Sequence, residues 1–196
     1  MKKTVSVLLA LALSLALCCA FAEDAALPAY AYAGDDPVMA AVIGCMLDMD
    51  SGIAPVEGGV LIPTPIVIKT DMNAEETEAS VYGNFWLFAY VRNGKILERT
   101  ACGEFPGVMK LEKKDGAWAA VSLELADEGE AYMESLRKLA NGDEELVEQY
   151  QLTTGAAEDS YLPQFQRAAV LMYVQANHLD IEAFQEPGEE PVSVIN

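Results

Sequence analysis

Glu98 is the side chain of this sequence best placed for proton chemistry. It interrupts an apolar, β-prone run and is expected among Leu87, Ala89, Ile96 and Thr100 on one face of a hairpin. A carboxylate desolvated in that setting has a raised pKa, which is how a general acid or base is tuned. The alternative is a strand-end charge that reaches solvent or pairs with Arg92. On the opposite face Trp86, Phe88 and Tyr90 alternate, with Tyr82 earlier on the same face. Such a cluster serves either as a platform for a small ligand, a peptide or a second copy of the chain, or as core packing.

Other reactive residues are few. His178, the sole histidine, stands at the expected C-terminus of a helix, where it suits a left-handed cap. A serine nucleophile would need that histidine, and no Gly-x-Ser-x-Gly precedes a helix. Asp48 to Gly52 invites comparison with a calcium loop, but position 12 of such a loop falls on Gly59, where glutamate is required. The segment therefore reads as a solvated helix end. With one histidine and no Cys-x-x-Cys, neither a metal nor a cofactor is expected.

The chain opens with Lys2 and Lys3, an apolar run from Val5 to Leu17, and Ala20-Phe21-Ala22 ahead of Glu23. This order predicts a signal peptide over residues 1–22 cleaved after Ala22, and hence a secreted or extracytoplasmic protein. The run is shorter than the roughly 20 apolar residues that span a bilayer, so no integral span is expected in the mature chain. A lipid anchor at Cys18 or Cys19 is disfavoured, because Leu17 precedes Cys18 where lipidation needs a small residue.

Cleavage would leave 10 basic against 31 acidic residues, a formal charge of −21. That field repels phosphate backbones and anionic lipids, so nucleic acid is not an expected partner. Two cysteines would remain, Cys45 and Cys102. In an oxidising compartment they are natural disulfide partners; the alternative is two buried thiols.

These residues must be held by one domain, spanning 36–186 after a lead-in over 23–35 and before a tail over 187–196. Asp36-Pro37 predicts a helix start, and the apolar positions from Val38 to Met49 make that helix buried on most sides. Pro63 and Pro65 confine the next apolar run, Ile66 to Lys69, to an edge or to the start of a strand. Thr77 to Arg92, Asn93-Gly94 and Lys95 to Cys102 read as a long hairpin whose loop is Asn93-Gly94. That register pairs Val91 with Ile96, Ala89 with Glu98 and Phe85 with Cys102, and places Cys102 on the face the first helix covers.

Gly103 to Gly107 predicts a bend or bulge, and a second hairpin turns at Asp115-Gly116. The sheet is expected over about 60–125 and C-terminal helices over about 127–178, with Ser160 capping the last. Both hairpin faces are apolar, so each needs a cover: the first helix on one, and on the other the C-terminal helices, a partner or a ligand. The fold class is α+β, an N-terminal helix on a curved antiparallel sheet with a long central hairpin, followed by helices.

A helix followed by a curved antiparallel sheet, over Asp36 to Leu125, resembles the cystatin-like superfamily that includes nuclear-transport-factor-2-like proteins. The resemblance rests on element order and implies a cavity between helix and concave sheet, with members ranging from isomerases and dehydratases to binding modules. Two functions follow. The first is a non-enzymatic binding or interaction domain that uses the aromatic face carrying Tyr82, Trp86, Phe88 and Tyr90. The second is a small cavity enzyme of hydro-lyase or isomerase type with Glu98 as its acid or base.

Overall fold

The computed structural model describes residues 26–195. The expected signal peptide, its cleavage point after Ala22, and Cys18 and Cys19 lie outside them.

Helix α1 (Pro37–Asp48) begins where the Asp36 carboxylate accepts from the amides of Val38 and Met39, at 2.9 and 3.3 Å. Those two bonds satisfy amides that have no partner in the first turn. Its buried residues Val42, Ile43 and Met46 follow helical spacing, and burying each stabilises the fold by roughly 1.5–3 kcal/mol.

Strand β2 (Glu78–Asn93) is the axis of the sheet. Along one side it pairs antiparallel with β1 (Val60–Met72), from Val60 opposite Tyr90 to Met72 opposite Ala79. Pro63 and Pro65 fall inside β1, and an edge strand tolerates them because a proline nitrogen facing open space breaks no ladder bond. The other side of β2 is shared. Its C-terminal half pairs with β3 (Ile96–Gly103) and its N-terminal half with β4 (Pro106–Lys114), so β3 and β4 form one line broken at Glu104 and Phe105. Strand β5 (Ala117–Leu125) extends the β4 half through the Asp115-Gly116 turn.

After a 3-10 turn at Gly129–Ala131 come helices α2 (Tyr132–Leu139), α3 (Glu144–Leu152) and α4 (Leu162–Ala176). Two short strands then complete the sheet, β6 (Ala183–Gln185), parallel to β3, and β7 (Val192–Ser193), antiparallel to β6. The seven-stranded sheet is therefore mixed, where the sequence pattern predicts an antiparallel one. The segment expected as a C-terminal tail is also part of the domain: Val192 pairs with Phe184, and Val194 is buried in the core.

Side chains alternate across β2, and the two faces have separate covers. Phe85 and Leu87 pack against Val42 and Met46 of α1. Trp86, Phe88 and Tyr90 pack against Val170, Tyr173 and Val174 of α4, while Tyr82 on the same face packs against Leu136, Val147 and Tyr150 of α2 and α3. The C-terminal helices thus supply the second cover that the two-sided apolar pattern demands. Among the described residues no helix is long and apolar enough to cross a membrane.

The central hairpin differs from its sequence reading in two places. Asn93 pairs with Ile96, so Gly94-Lys95 is the loop, with Gly94 at φ +57°. A two-residue turn that needs positive φ at its first position takes Gly there, and that preference outweighs Asn-Gly. Farther on, Tyr90 pairs with Arg99 but Ala89 with Ala101, leaving Thr100 unopposed as a bulge. One extra residue reverses the faces of everything after it. Cys102 therefore lies opposite Phe88, on the aromatic face.

Candidate functional site

That bulge removes the expected disulfide. Cys45 packs with the α1 cluster and Cys102 with the α4 cluster, on opposite sides of the sheet, and both are free thiols. Burial pushes both thiols up from the ordinary cysteine value, so each stays protonated and unreactive at neutral pH.

Tyr82, Trp86, Phe88 and Tyr90 are all buried, Tyr90 with no exposed surface. Trp86 stacks on Phe88 with ring centroids 5.6 Å apart. Tyr90 Oη accepts from Gln166 Nε2 at 2.8 Å. The aromatic face is core, and a ligand platform there would require α4 to leave. Glu98 stands at the hairpin end and not in a closed pocket. It lies opposite Val91, half-buried, and accepts from Asn93 Nδ2 at 2.6 Å beside the exposed turn. His178 takes φ +52°, the left-handed cap its position suggests.

The site with convergent polar groups lies at the break between β3 and β4. Gly103 begins the break, and a Cβ there would meet the Phe105 ring at 2.6 Å and Ile53 Cγ1 at 2.8 Å, so a larger residue would have to displace those side chains. Glu104 leaves the strand line at this point. The residue is exposed, yet its carboxylate turns inward and accepts from Asn84 Nδ2 at 2.9 Å. Asn84 is buried on β2, where its side-chain oxygen accepts from the Phe105 amide at 3.2 Å and its amide also reaches Thr153 O at 3.2 Å. Trp86 Nε1 donates to the same Thr153 carbonyl at 3.0 Å. Thr153 Oγ1 donates to Tyr150 O at 2.6 Å, and Tyr150 Oη donates to Gly107 O at 2.7 Å. This network ties the segment after α3 to the broken strand, with each member satisfied.

Next to it is a cavity of about 520 Å³ bordered by Glu104, Phe105, Leu125, Asp127, Glu128 and Tyr132. Its volume falls in the range of small-molecule sites. Among the described residues no basic side chain lines it. Desolvation raises the Glu104 carboxyl above its usual range, against the lowering effect of Asn84 and the Gly155 amide. Among the described residues Tyr132 Oη is enclosed without a hydrogen-bond partner. Burial first, and the nearby Glu104 charge second, push its phenol up to about 12. A carboxyl raised by desolvation thus borders the cavity beside Tyr132 and an apolar wall, while the Tyr132 hydroxyl itself is enclosed.

A roomier cavity of about 890 Å³ separates α4 from the C-terminal strands; its wall is mainly apolar, with Gln164, Arg167, Gln175 and His178 as its polar members, and among the described residues no unpartnered buried side-chain oxygen lines it. Chemistry therefore favours the smaller site. Among the described residues no cluster of three or more His, Cys, Asp or Glu side chains could hold a metal ion.

Sequence reading does not single out Glu104, Tyr132 or Asn84. The available signals are the glycine-flanked interruption at Gly103 to Gly107 and one amide, Asn84, inside an otherwise apolar strand. Tyr132 reads as an apolar helix position, because nothing in its spacing reveals an unpartnered hydroxyl. Set against protein-family models, curated proteins and solved structures, the chain matches none.

Proposed function

We propose that this chain is an exported binding domain that takes a small ligand with an apolar body and a cationic or donor-rich head in the Glu104 cavity. The observation that carries the reading is the Glu104 carboxylate, held inward by buried Asn84 and facing a cavity with Tyr132 but no basic group. An amine head answers Glu104, Asp127 and Glu128, while Phe105 and Leu125 accept the apolar body. The export half rests on the order of residues 1–22, and N-terminal sequencing of the exported protein tests it. Glu23 is the expected first residue; a start at Cys18 or Cys19 would replace cleavage after Ala22 with a lipid anchor, and a chain that keeps Met1 and stays in the cytosol would overturn export.

Binding is tested with benzylamine against benzyl alcohol, its neutral counterpart, by amide chemical-shift titration. Saturable shifts at Phe105, Leu125 and Tyr132, with the amine preferred and the preference lost in Glu104→Gln, support the proposal. Unsaturable shifts, or an amine preference that survives Glu104→Gln, sink it.

The raised Glu104 carboxyl favours a second reading, a cavity enzyme of hydro-lyase or isomerase type in which Glu104 moves a proton. Its assay is deuterium incorporation next to the carbonyl of a small ketone such as phenylacetone in D2O. Incorporation that Glu104→Gln abolishes supports this reading, and none above the buffer rate removes it for that substrate class.

A further inference from the structure

The charges around the cavity of about 890 Å³ are sorted by sign. Arg167, Leu171 and Val174 follow one another at helical spacing along the side of α4 that borders it, with His178 just beyond the helix end. Leu179, Ile181, Val192, Val194 and Ile195 form the facing wall. Although 31 of the 196 residues are acidic, no Asp or Glu among the described residues lines this cavity.

The segment between α4 and β6 explains the absence. Successive side chains of an extended chain alternate in direction. Ile181 is buried and enters the cavity wall, while its neighbours Asp180 and Glu182 pair with Arg92 and Lys95 of the central hairpin. Glu186 is drawn off in the same way by Arg99. Half-buried Arg167 is therefore the one lining residue with a full positive charge, and the acids beside the wall are held by other bases. Arg167 makes an interaction of its own within the chain; the five N–H donors of a guanidinium can serve a further acceptor.

Elsewhere the summed field of so acidic a chain repels an anion, and here a guanidinium stands among apolar side chains with no acid in the wall. The wall carries no phenyl, phenol or indole ring, so its apolar part suits an alkyl chain and not a flat ligand. His178 lies roughly 16 Å from Arg167 at 1.5 Å per helical residue, too far to share one head group with it. We infer that this cavity is a second binding site, which takes an unbranched aliphatic carboxylate with its head on Arg167 and its chain along Leu171, Leu179, Ile181 and Val194. It shares no lining residue with the Glu104 cavity, and its charge preference is the reverse.

The test titrates the mature chain with octanoate, with 1-octanol as its neutral counterpart and with octylammonium, and follows amide shifts. Saturable octanoate shifts at Arg167, Leu171, Ile181 and Val194 are expected, with octanoate bound about tenfold more tightly than 1-octanol, as a charge-assisted bond implies. Octylammonium should bind weakest. In Arg167→Gln the preference for octanoate over 1-octanol should disappear while 1-octanol still binds. Ala168→Phe, at an exposed lining position of α4, should weaken all three ligands by filling the space. The inference is overturned if octanoate fails to saturate, if its shifts map elsewhere, or if 1-octanol or octylammonium binds the wild type as tightly. A preference for octanoate that survives in Arg167→Gln overturns it equally. Should that variant fold poorly, the wild-type comparison of the three ligands decides.

Discussion

Asn84 donates its side-chain amide to the Glu104 carboxylate at 2.9 Å, bridging the centre of β2 to the break between β3 and β4. One buried amide thus does two jobs: it orients the acid toward the cavity and closes the polar network beneath it. The same amide makes the site sensitive to changes well inside the sheet.

Asn84→Ala leaves the Phe105 amide without its side-chain acceptor and the Thr153 carbonyl with one donor fewer. A loss of about 2–3 kcal/mol is expected, at the cost of roughly one to three per buried group left unpaired. Urea denaturation measures it. Asn84→Asp should destabilise more above the carboxylate range than below it, because it sets a second acid against Glu104.

The Glu104 carboxyl is raised in the folded state, so between its unfolded and folded pKa values the native chain binds more protons than the unfolded one. Stability contributed by this group therefore falls as pH rises through that window, which opens near about 4.3 for an ordinary glutamate. Thermal denaturation of Glu104→Gln beside the wild type should show the variant gaining relative stability from pH 4 to pH 7. A constant difference across that range would contradict the desolvated carboxyl.

Because Cys45 and Cys102 lie on opposite sheet faces as free thiols, reductant should leave the melting temperature of the mature chain unchanged. Thiol titration in denaturant should count two, with slow reaction in the native state from the raised pKa values. A mass two units lower without reductant would reveal a bond the fold does not accommodate.

Phe88→Ala tests the aromatic face as core. Phe88 is 1% exposed beneath α4, and its truncation should cost about 3–5 kcal/mol. Glu98→Gln, at a partly solvated turn contact, should change stability by less than about 0.5 kcal/mol. Equilibrium unfolding of both variants compares a core position directly with the charge that interrupts the apolar run of the hairpin.

Much of the architecture follows from local chemistry. Asp36-Pro37 starts α1, Pro63 and Pro65 mark an edge, and Asp115-Gly116 turns the second hairpin, because caps, prolines and positive-φ turns depend on a few adjacent residues. Apolar residues on both faces of β2 likewise require two covers, and α1 and the C-terminal helices provide them.

Tertiary structure decides what depends on a count of residues or on distant partners. One unopposed residue at Thr100 sends Cys102 to the face away from Cys45, and no propensity in the sequence marks which residue will bulge. The site is hidden for a related reason. Glu104, Asn84, Thr153 and Tyr132 come from a strand break, a central strand, a helix end and a helix start, and they meet only when the C-terminal helices dock on the sheet. Glu98, the acid that the sequence places among apolar neighbours, has solvent and Asn93 beside it instead. Contact across the fold is a property of the packed whole, so the acid that meets a buried polar partner is the one at the break.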